Sequence, residues 1–238
     1  MTTGTEGIGL VVFDCDGTLV DSAGHIADTM ADCFLAAGIA APTPAEVARI
    51  IGLSLPIAIG RLLPYLDDVA CHDLARGYRD AYRRRLAAGL MGDERLFDGV
   101  DAALKRLDGA GYVLGMATGK SIRGVERTVA RFGFERLFVT IQTADTHPSK
   151  PHPAMMLAAM DETGADPARS VLIGDTSYDM EMARAAGARA IGVAWGCHAH
   201  QDLLDAGADL VVTAAAELDA AIATLIGAPL APERRIGA

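Results

Sequence analysis

Short apolar runs recur along the chain and alternate with segments whose apolar residues repeat at helical spacing. The first run, residues 9–13, is continuous and rich in Val and Leu, which is typical of a strand buried on both faces of a parallel sheet. Strands that alternate with helices predict an α/β fold with a Rossmann-like parallel sheet and right-handed crossovers. The other predicted strands are 112–117, 137–141, 171–174, 188–193 and 209–212, with helices at 100–110, 122–132, 151–163, 180–186 and 214–226.

One long stretch interrupts this alternation, because residues 22–96 show no strand-like pattern. An ordinary connection returns to the sheet after roughly a dozen helical residues. We therefore predict an inserted helical domain, residues 22–93, within a discontinuous core formed by residues 7–21 and 94–228. Residues 1–6 and 229–238 are expected to be disordered tails. The predicted helices of the insertion are 22–37, 45–51, 55–64 and 67–88.

Two carboxylates, Asp14 and Asp16, follow the first predicted strand directly and precede a Gly-Thr turn. At the carboxyl end of a central strand they would lie where open α/β sheets hold their ligands. Carboxylates this close repel each other unless a cation or a shared proton relieves the repulsion, and Mg²⁺ prefers oxygen ligands. The pair therefore indicates a metal site, although Asp residues also cap turns and helices without any metal.

Polar side chains follow three further predicted strands, and together they suit phosphoryl transfer. A carboxylate can attack phosphorus, while a metal ion, a hydroxyl, backbone N–H groups and an ammonium hold the phosphate oxygens. A second carboxylate can donate a proton to the leaving oxygen and then take one from water. The residues that offer these groups are Thr118, Gly119, Lys120, Lys150, Asp175 and Asp179.

The order of these motifs resembles the haloacid dehalogenase superfamily of phosphatases. The chain reads Asp-Cys-Asp-Gly-Thr from residue 14, Thr-Gly-Lys from residue 118, then Lys150, and Gly-Asp-Thr-Ser-Tyr-Asp from residue 174. A helical insertion directly after the first motif resembles the subgroup with an α-helical cap, which includes phosphoglycolate phosphatase and β-phosphoglucomutase. The resemblance covers nearly the whole chain and implies the core-and-cap architecture of that subgroup.

The resemblance also implies roles for five residues of the first three motifs. Asp14 is the expected nucleophile and a metal ligand. Asp16 is the expected general acid and base, and its carbonyl oxygen is expected to bind the metal. Thr118 and Gly119 are expected to bind phosphate, and Lys150 is expected to hold both the phosphate and the nucleophile.

The metal ion that the resemblance implies is Mg²⁺. Asp175 is an expected direct ligand and Asp179 an expected support of the metal site, although Asp179 also fits a helix cap. Two positions depart from the family pattern, since Gly119 stands where Asn is common and His152 where Asp is common. The missing amide leaves Lys120 as the expected substrate-facing group of the second motif.

The function favoured by these motifs is a Mg²⁺-dependent phosphomonoesterase that acts on a small phosphorylated metabolite through an aspartyl-phosphate. The cap is expected to select the substrate when it closes over the site. Its expected contacts are the loop at Gly52 and the nearby Arg49 and Arg61. An arginine can pair with a carboxylate on a small substrate, which motivates 2-phosphoglycolate as the hypothesis. The sequence is equally compatible with both arginines lying on the solvent-exposed surface, without any contact to substrate.

A sugar-phosphate mutase similar to β-phosphoglucomutase is the alternative. His25 lies one residue early for the cap histidine of those mutases, and their cap lysine is missing. Phosphonate cleavage through a Schiff base needs a cap lysine, and residues 21–99 contain none. A dehalogenase has no need of Asp16. A P-loop needs four residues between its glycines, whereas residues 115–119 offer three.

Composition narrows the classes of partner and location. A formal net charge of -10 without a basic block argues against a nucleic-acid partner. No apolar run reaches membrane length and no N-terminal signal is visible, so we expect no membrane contact and a cytoplasmic enzyme. The four cysteines are scattered and the histidines lack paired cysteines, so neither disulfides nor zinc are expected. The oligomeric state is left open.

Overall fold

The computed structural model describes residues 7–92 and 94–229. The expected tails, residues 1–6 and 229–238, lie outside this part of the chain except for residue 229. In chain order the strands are β1 (Leu10–Phe13), β2 (Val20–Asp21), β3 (Arg95–Leu96), β4 (Val113–Thr118), β5 (Phe138–Thr143), β6 (Ser170–Gly174), β7 (Arg189–Val193) and β8 (Leu210–Val212). The helices are α1 (Ala23–Ala36), α2 (Pro44–Ala48), α3 (Leu55–Leu62), α4 (Asp68–Ala87), α5 (Val100–Ala110), α6 (Ile122–Phe132), α7 (Ala154–Thr163), α8 (Ser177–Ala185), α9 (His200–Asp205) and α10 (Leu218–Ile226).

Six strands form one sheet in the order β5–β4–β1–β6–β7–β8, and every neighbouring pair is parallel. This arrangement confirms the predicted α/β fold. In the register, Phe13 of β1 pairs with Met116 of β4 and with Ile173 of β6. The residues that follow these three strands therefore meet at one edge of the sheet, where open parallel sheets hold their ligands.

The central strand β1 is buried on both faces, as its continuous apolar run predicts. Val11 and Phe13 pack into one hydrophobic cluster, and Leu10 and Val12 pack into another. Successive side chains of a strand point to opposite faces, so the two clusters lie on the two sides of the sheet. Cys15 continues the first set and is fully buried, as expected of an apolar core residue.

The helical segment, residues 22–92, contains α1 to α4, and its hydrophobic cluster also includes Tyr178 of α8. Local capping explains where two of these helices begin. Thr43 and Glu46 form a reciprocal capping box at α2, and the Asp67 side chain accepts a hydrogen bond at the start of α4. The buried residues of the hydrophobic cluster include Phe34 of α1, Ile59 of α3 and Ala75 of α4. The division of the chain into a core and an inserted domain stays a prediction.

Three local features differ from the sequence-based expectations. β2 and β3 pair antiparallel at the two ends of the helical segment, and two-residue strands are too short to show alternation. The helix predicted over 45–51 is only Pro44–Ala48, because its last residues turn toward Gly52, whose φ is +92°. The short helix α9 was not predicted. None of the described helices combines the length and apolar character that crossing a bilayer requires.

Candidate active site

The carboxylates of Asp14, Asp175 and Asp179 meet at the carboxyl edge of the sheet. One oxygen of each lies within 4.8 Å of the others, and all three residues are fully buried. Asp14 follows β1, Asp175 follows β6, and Asp179 lies in the first turn of α8. Pairing between β1 and β6 therefore brings together carboxylates that are far apart in the sequence.

Lys150 supplies positive charge to this cluster. Its Nζ lies 2.6 Å from Asp179 Oδ1 and 2.8 Å from Asp14 Oδ1, and none of these three side chains is exposed. Burial by itself would lower the pKa of Lys150, but the two carboxylates outweigh this effect and raise the pKa above its ordinary value. The ammonium therefore stays protonated. We call Asp14, Lys150, Asp175 and Asp179 the acidic centre.

The acidic centre suits a hard divalent cation, because one ammonium does not balance three carboxylates. Burial raises the pKa of Asp14 to about 8, with Lys150 opposing the shift and the two other carboxylates adding to it. Burial also raises the pKa of Asp175 to about 6, with Asp179 adding to the shift. Lys150 contacts Asp14 as an ion pair, but neither Asp14 oxygen accepts a well-oriented hydrogen bond from the described residues. Buried carboxylate oxygens that accept no hydrogen bond are suitable ligands for Mg²⁺.

Asp179 also caps the helix on which it lies. Its Oδ2 accepts hydrogen bonds from the backbone N–H of Thr176 over 3.1 Å and from the Thr176 hydroxyl over 2.7 Å. Its Oδ1 faces Lys150. The capping geometry at the start of α8 therefore orients Asp179 toward the acidic centre, and the two expectations for this residue are compatible.

Asp16 lies apart from these carboxylates, and its side chain faces Lys120. The Ser22 hydroxyl and Lys120 Nζ each donate to Asp16 Oδ1 over 2.6 Å. Burial would lower the pKa of Lys120, but Asp16 raises it, so the ammonium stays charged. Both bonds use Oδ1, and no donor to Oδ2 is found among the described residues. Ser22 was not among the predicted site residues, and its side chain makes no capping bond to α1.

Asp175 is held by two donors that sequence analysis did not identify. The Thr18 hydroxyl donates to Oδ1 and the backbone N–H of Cys197 donates to Oδ2, each over 2.8 Å. Gly17 has a φ of +90°, and a Cβ there would lie 2.2 Å from Asp175 Oδ2. The Gly-Thr turn after Asp16 therefore supports a carboxylate from another strand. Nothing local to Cys197 indicates this contact, because it depends on how distant loops meet.

A loop of the helical segment covers the second motif. A Cβ added at Gly119 would lie 2.6 Å from the carbonyl oxygens of both Gly52 and Leu53. In the same loop, the backbone N–H of Ser54 donates to the Ser149 hydroxyl over 2.8 Å, next to Lys150 in the chain. The absence of a side chain at Gly119 is what allows the loop to approach this closely.

A cavity of about 790 Å³ lies between the helical segment and the carboxyl edge of the sheet. The residues that line this cavity come from distant parts of the sequence. The predicted site residues that line it are Asp16, Gly52, Thr118, Gly119 and Lys120.

The two arginines predicted to contact substrate lie elsewhere, since neither Arg49 nor Arg61 is among the described residues that line this cavity. Arg61 donates a hydrogen bond to the Tyr178 hydroxyl over 3.0 Å, and its guanidinium lies 4.9 Å from the centre of the Tyr178 ring. The Tyr178 hydroxyl in turn donates to the backbone carbonyl of Arg49 over 2.8 Å. Closeness to Gly52 in the sequence did not determine on which side of the loop these arginines lie.

Comparison with known proteins finds a matching family model and phosphatases to which this chain is similar. The family model described as haloacid dehalogenase-like hydrolase matches residues 11–193. The protein named probable phosphatase IndB of Dickeya dadantii is 34% identical over 223 residues, covering 91% of this chain and 94% of that protein. A phosphoglycolate phosphatase of Xanthomonas campestris is 30% identical over 188 residues, covering 78% of this chain and 83% of its own length.

The fold has a close counterpart among solved structures. The crystal structure of a predicted phosphatase from Clostridium acetobutylicum superposes with a TM-score of 0.80 at 26% sequence identity. The match covers 93% of this chain and 100% of that one. The similarity therefore includes the helical segment as well as the parallel sheet.

Proposed function

The chain belongs to the haloacid dehalogenase-like hydrolases and is a phosphatase of that family, and we propose that it hydrolyses phosphomonoesters with Mg²⁺ through a phosphoryl group carried on Asp14. The observation that carries the proposal is the buried Asp14, which accepts no hydrogen bond from the described residues and lies between two carboxylates and a lysine. Asp14 and Asp175 would hold the Mg²⁺, with Asp179 beside them, and the ion would offset the charge of a phosphoryl group next to a carboxylate.

In the first step an oxygen of Asp14 attacks phosphorus while the bond from phosphorus to the ester oxygen breaks. Asp16 gives its proton to that leaving oxygen, so the products of this step are an alcohol and an aspartyl-phosphate. Lys120 and Ser22 fix Asp16 through Oδ1. This leaves Oδ2 as the oxygen that exchanges the proton.

In the second step Asp16 takes a proton from water, and the water oxygen attacks the phosphorus of the aspartyl-phosphate. The bond between phosphorus and Asp14 breaks, inorganic phosphate is released, and the starting protonation of Asp16 is restored. Lys150 keeps Asp14 in place throughout, because its ammonium lies 2.8 Å from the nucleophile and is itself anchored to Asp179.

The names of several relatives support 2-phosphoglycolate as the first ester to test. The two arginines that motivated this ester in the sequence contact Tyr178 instead of the cavity, so the support comes from the relatives alone. A sugar-phosphate mutase is the second candidate, because His25 lines the cavity.

The test is phosphate release from 2-phosphoglycolate and glucose phosphates, with Mg²⁺ and with a chelator. We expect release that requires Mg²⁺ and that Asp14→Asn lowers by about a thousandfold or more. The matched control is Asp101→Asn, a surface carboxylate paired with Lys105, which should keep full activity. Full activity of Asp14→Asn would contradict the proposal. Isomerisation of glucose 1-phosphate without phosphate release would favour the mutase.

A further inference from the structure

The cavity is much larger than a two-carbon acid requires. Its volume of about 790 Å³ lies within the range of roughly 300–1,000 Å³ that is typical of pockets for drug-sized ligands. 2-Phosphoglycolate bound beside Thr118 and Gly119 would fill a small part of this space and would leave most of the walls in contact with water. The size of the cavity therefore indicates a larger organic group.

Apolar side chains are exposed on both walls of the cavity. Ile57 of α3 is 49% exposed and Ile122 of α6 is 40% exposed, and both line the space. Isolated exposed apolar residues are common, but these two belong to one cavity and come from its two sides. An apolar group of a ligand that covers both would remove this surface from water, which is favourable.

Positive charge accumulates on the same walls. Among the described lining residues, five are Arg or Lys and three are Asp or Glu, in a chain whose formal net charge is -10. Apart from the lysine, the positive charges form two pairs, each with its members four residues apart and therefore on one face of a helix. These pairs are Arg79 and Arg83 on α4, and Arg123 and Arg127 on α6.

Two of these four arginines already have a partner. Arg83 pairs with a neighbouring aspartate, and the Arg127 guanidinium stacks 4.9 Å above the Tyr82 ring. For Arg79 and Arg123 the described part of the chain offers no ion-pair partner. Arg79 lines the cavity from α4 of the helical segment, and Arg123 lines it from α6, which follows the sheet strand β4. An anionic group of a ligand would meet a cation from each wall.

We propose that the substrate is a phosphate monoester whose elongated organic group has an apolar stretch and ends in a second anionic group. Ile57 and Ile122 contact the apolar part, and Arg79 and Arg123 contact the terminal anion. This inference rests on the proposed phosphatase function, because the phosphate end is placed at the second motif. The inference assigns substrate selection to the residues of the cavity walls, and it gives Arg49 and Arg61 no part in that selection.

The first test compares three primary alkyl phosphates whose leaving groups are chemically similar. They are 2-phosphoglycolate, hexyl phosphate, and phosphohexanoate, which adds a carboxylate to the far end of the hexyl chain. We expect kcat/KM to rise at least about tenfold from 2-phosphoglycolate to phosphohexanoate, because burial of a few methylene groups is worth that much. Equal or higher kcat/KM for 2-phosphoglycolate would overturn the inference.

The second test assigns the two contacts to residues. Arg79→Gln and Arg123→Gln should each lower kcat/KM for phosphohexanoate about threefold to tenfold and leave hexyl phosphate unchanged. Arg76→Gln, on the same helix but absent from the described lining, is the control. Ile57→Ser should lower kcat/KM for both hexyl esters, whereas Val69→Ser, also exposed on the helical segment, should not. Arginine variants that affect both hexyl esters equally would contradict the assignment.

Binding to Asp14→Asn protein separates this inference from the proposed function. In calorimetric titrations the variant should bind phosphohexanoate more tightly than 2-phosphoglycolate, since its cavity walls are intact. The same preference without phosphate release by the wild-type protein would leave the cavity assignment standing and overturn the proposed reaction. Release from all three esters without any preference in binding or kcat/KM would overturn only the cavity assignment.

Discussion

The acidic centre and the cavity next to it differ in how far their side chains are exposed to water. In the acidic centre every charged side chain is fully buried and lies close to the others. The arginines and isoleucines that line the cavity include exposed ones. The difference fits the role that we propose for each region. Carboxylates that act on phosphorus need fixed positions in a water-poor site, where electrostatic interactions are strong. Walls that select a substrate need surface that stays in water until a ligand covers it. We therefore expect substitutions in the acidic centre to abolish turnover, and substitutions in the cavity to change which ester is preferred.

The largest effect is expected from Lys150→Met, which removes the buried cation and keeps a similar volume. Asp14 and Asp179 would lose their ion-pair partner, which destabilises a buried pair by about 3 kcal/mol or more. Urea unfolding should show this loss, and phosphatase activity should fall by about a thousandfold. Lys105→Met removes an exposed cation and should change the free energy of unfolding by under about 0.5 kcal/mol. If the Lys150→Met variant were as stable as the wild-type protein, the balance of charges would not be what stabilises the acidic centre.

An intermediate effect is expected from Gly119→Ala at the boundary between the two regions. The added Cβ would lie 2.6 Å from two backbone carbonyl oxygens of the loop at Gly52, so that loop must move away. We expect kcat/KM to fall about tenfold or more, mostly through KM, because the displaced loop no longer positions the substrate at the phosphate end of the cavity. Gly109→Ala on α5 meets no atom within 4 Å and should slightly stabilise the protein. Unchanged kinetics for Gly119→Ala would mean that the loop does not take part in substrate binding.

The smallest effect is expected from Tyr178→Phe, which tests the contact outside both regions. The variant keeps the ring that packs with the helical segment and loses the two hydrogen bonds to Arg49 and Arg61. The free energy of unfolding should fall by about 1 kcal/mol, whereas kcat and KM should change little, because neither arginine lines the cavity. Tyr65→Phe, at an exposed position, should leave the free energy of unfolding unchanged as well. A large loss of kcat in Tyr178→Phe would instead connect Tyr178 to the acidic centre through the adjacent Asp179.

Much of the fold and part of the candidate site could be predicted from local patterns. The continuous apolar run of β1 predicted a doubly buried central strand, and the residues directly after it had to lie at the carboxyl edge of the sheet. Pairing of Asp16 with Lys120 and Ser22 could not be predicted, because it joins the first motif to the loop after β4 and to the residue that begins α1. The antiparallel pair β2–β3 was missed for the same reason, since it forms only where the two ends of the helical segment meet.

The sequence by itself determined the chain order of the six sheet strands and of every described helix except α9, and it determined the identity of the groups that can act on phosphorus. Both depend on short stretches whose burial pattern and strand-end position are set locally. Only the tertiary structure decided that Arg79 and Arg123 line the cavity while Arg49 and Arg61 contact Tyr178. Which face of a helix or loop meets the sheet edge depends on how the whole helical segment packs over the core. That packing is the sum of many distant contacts, and no short stretch of the chain encodes it.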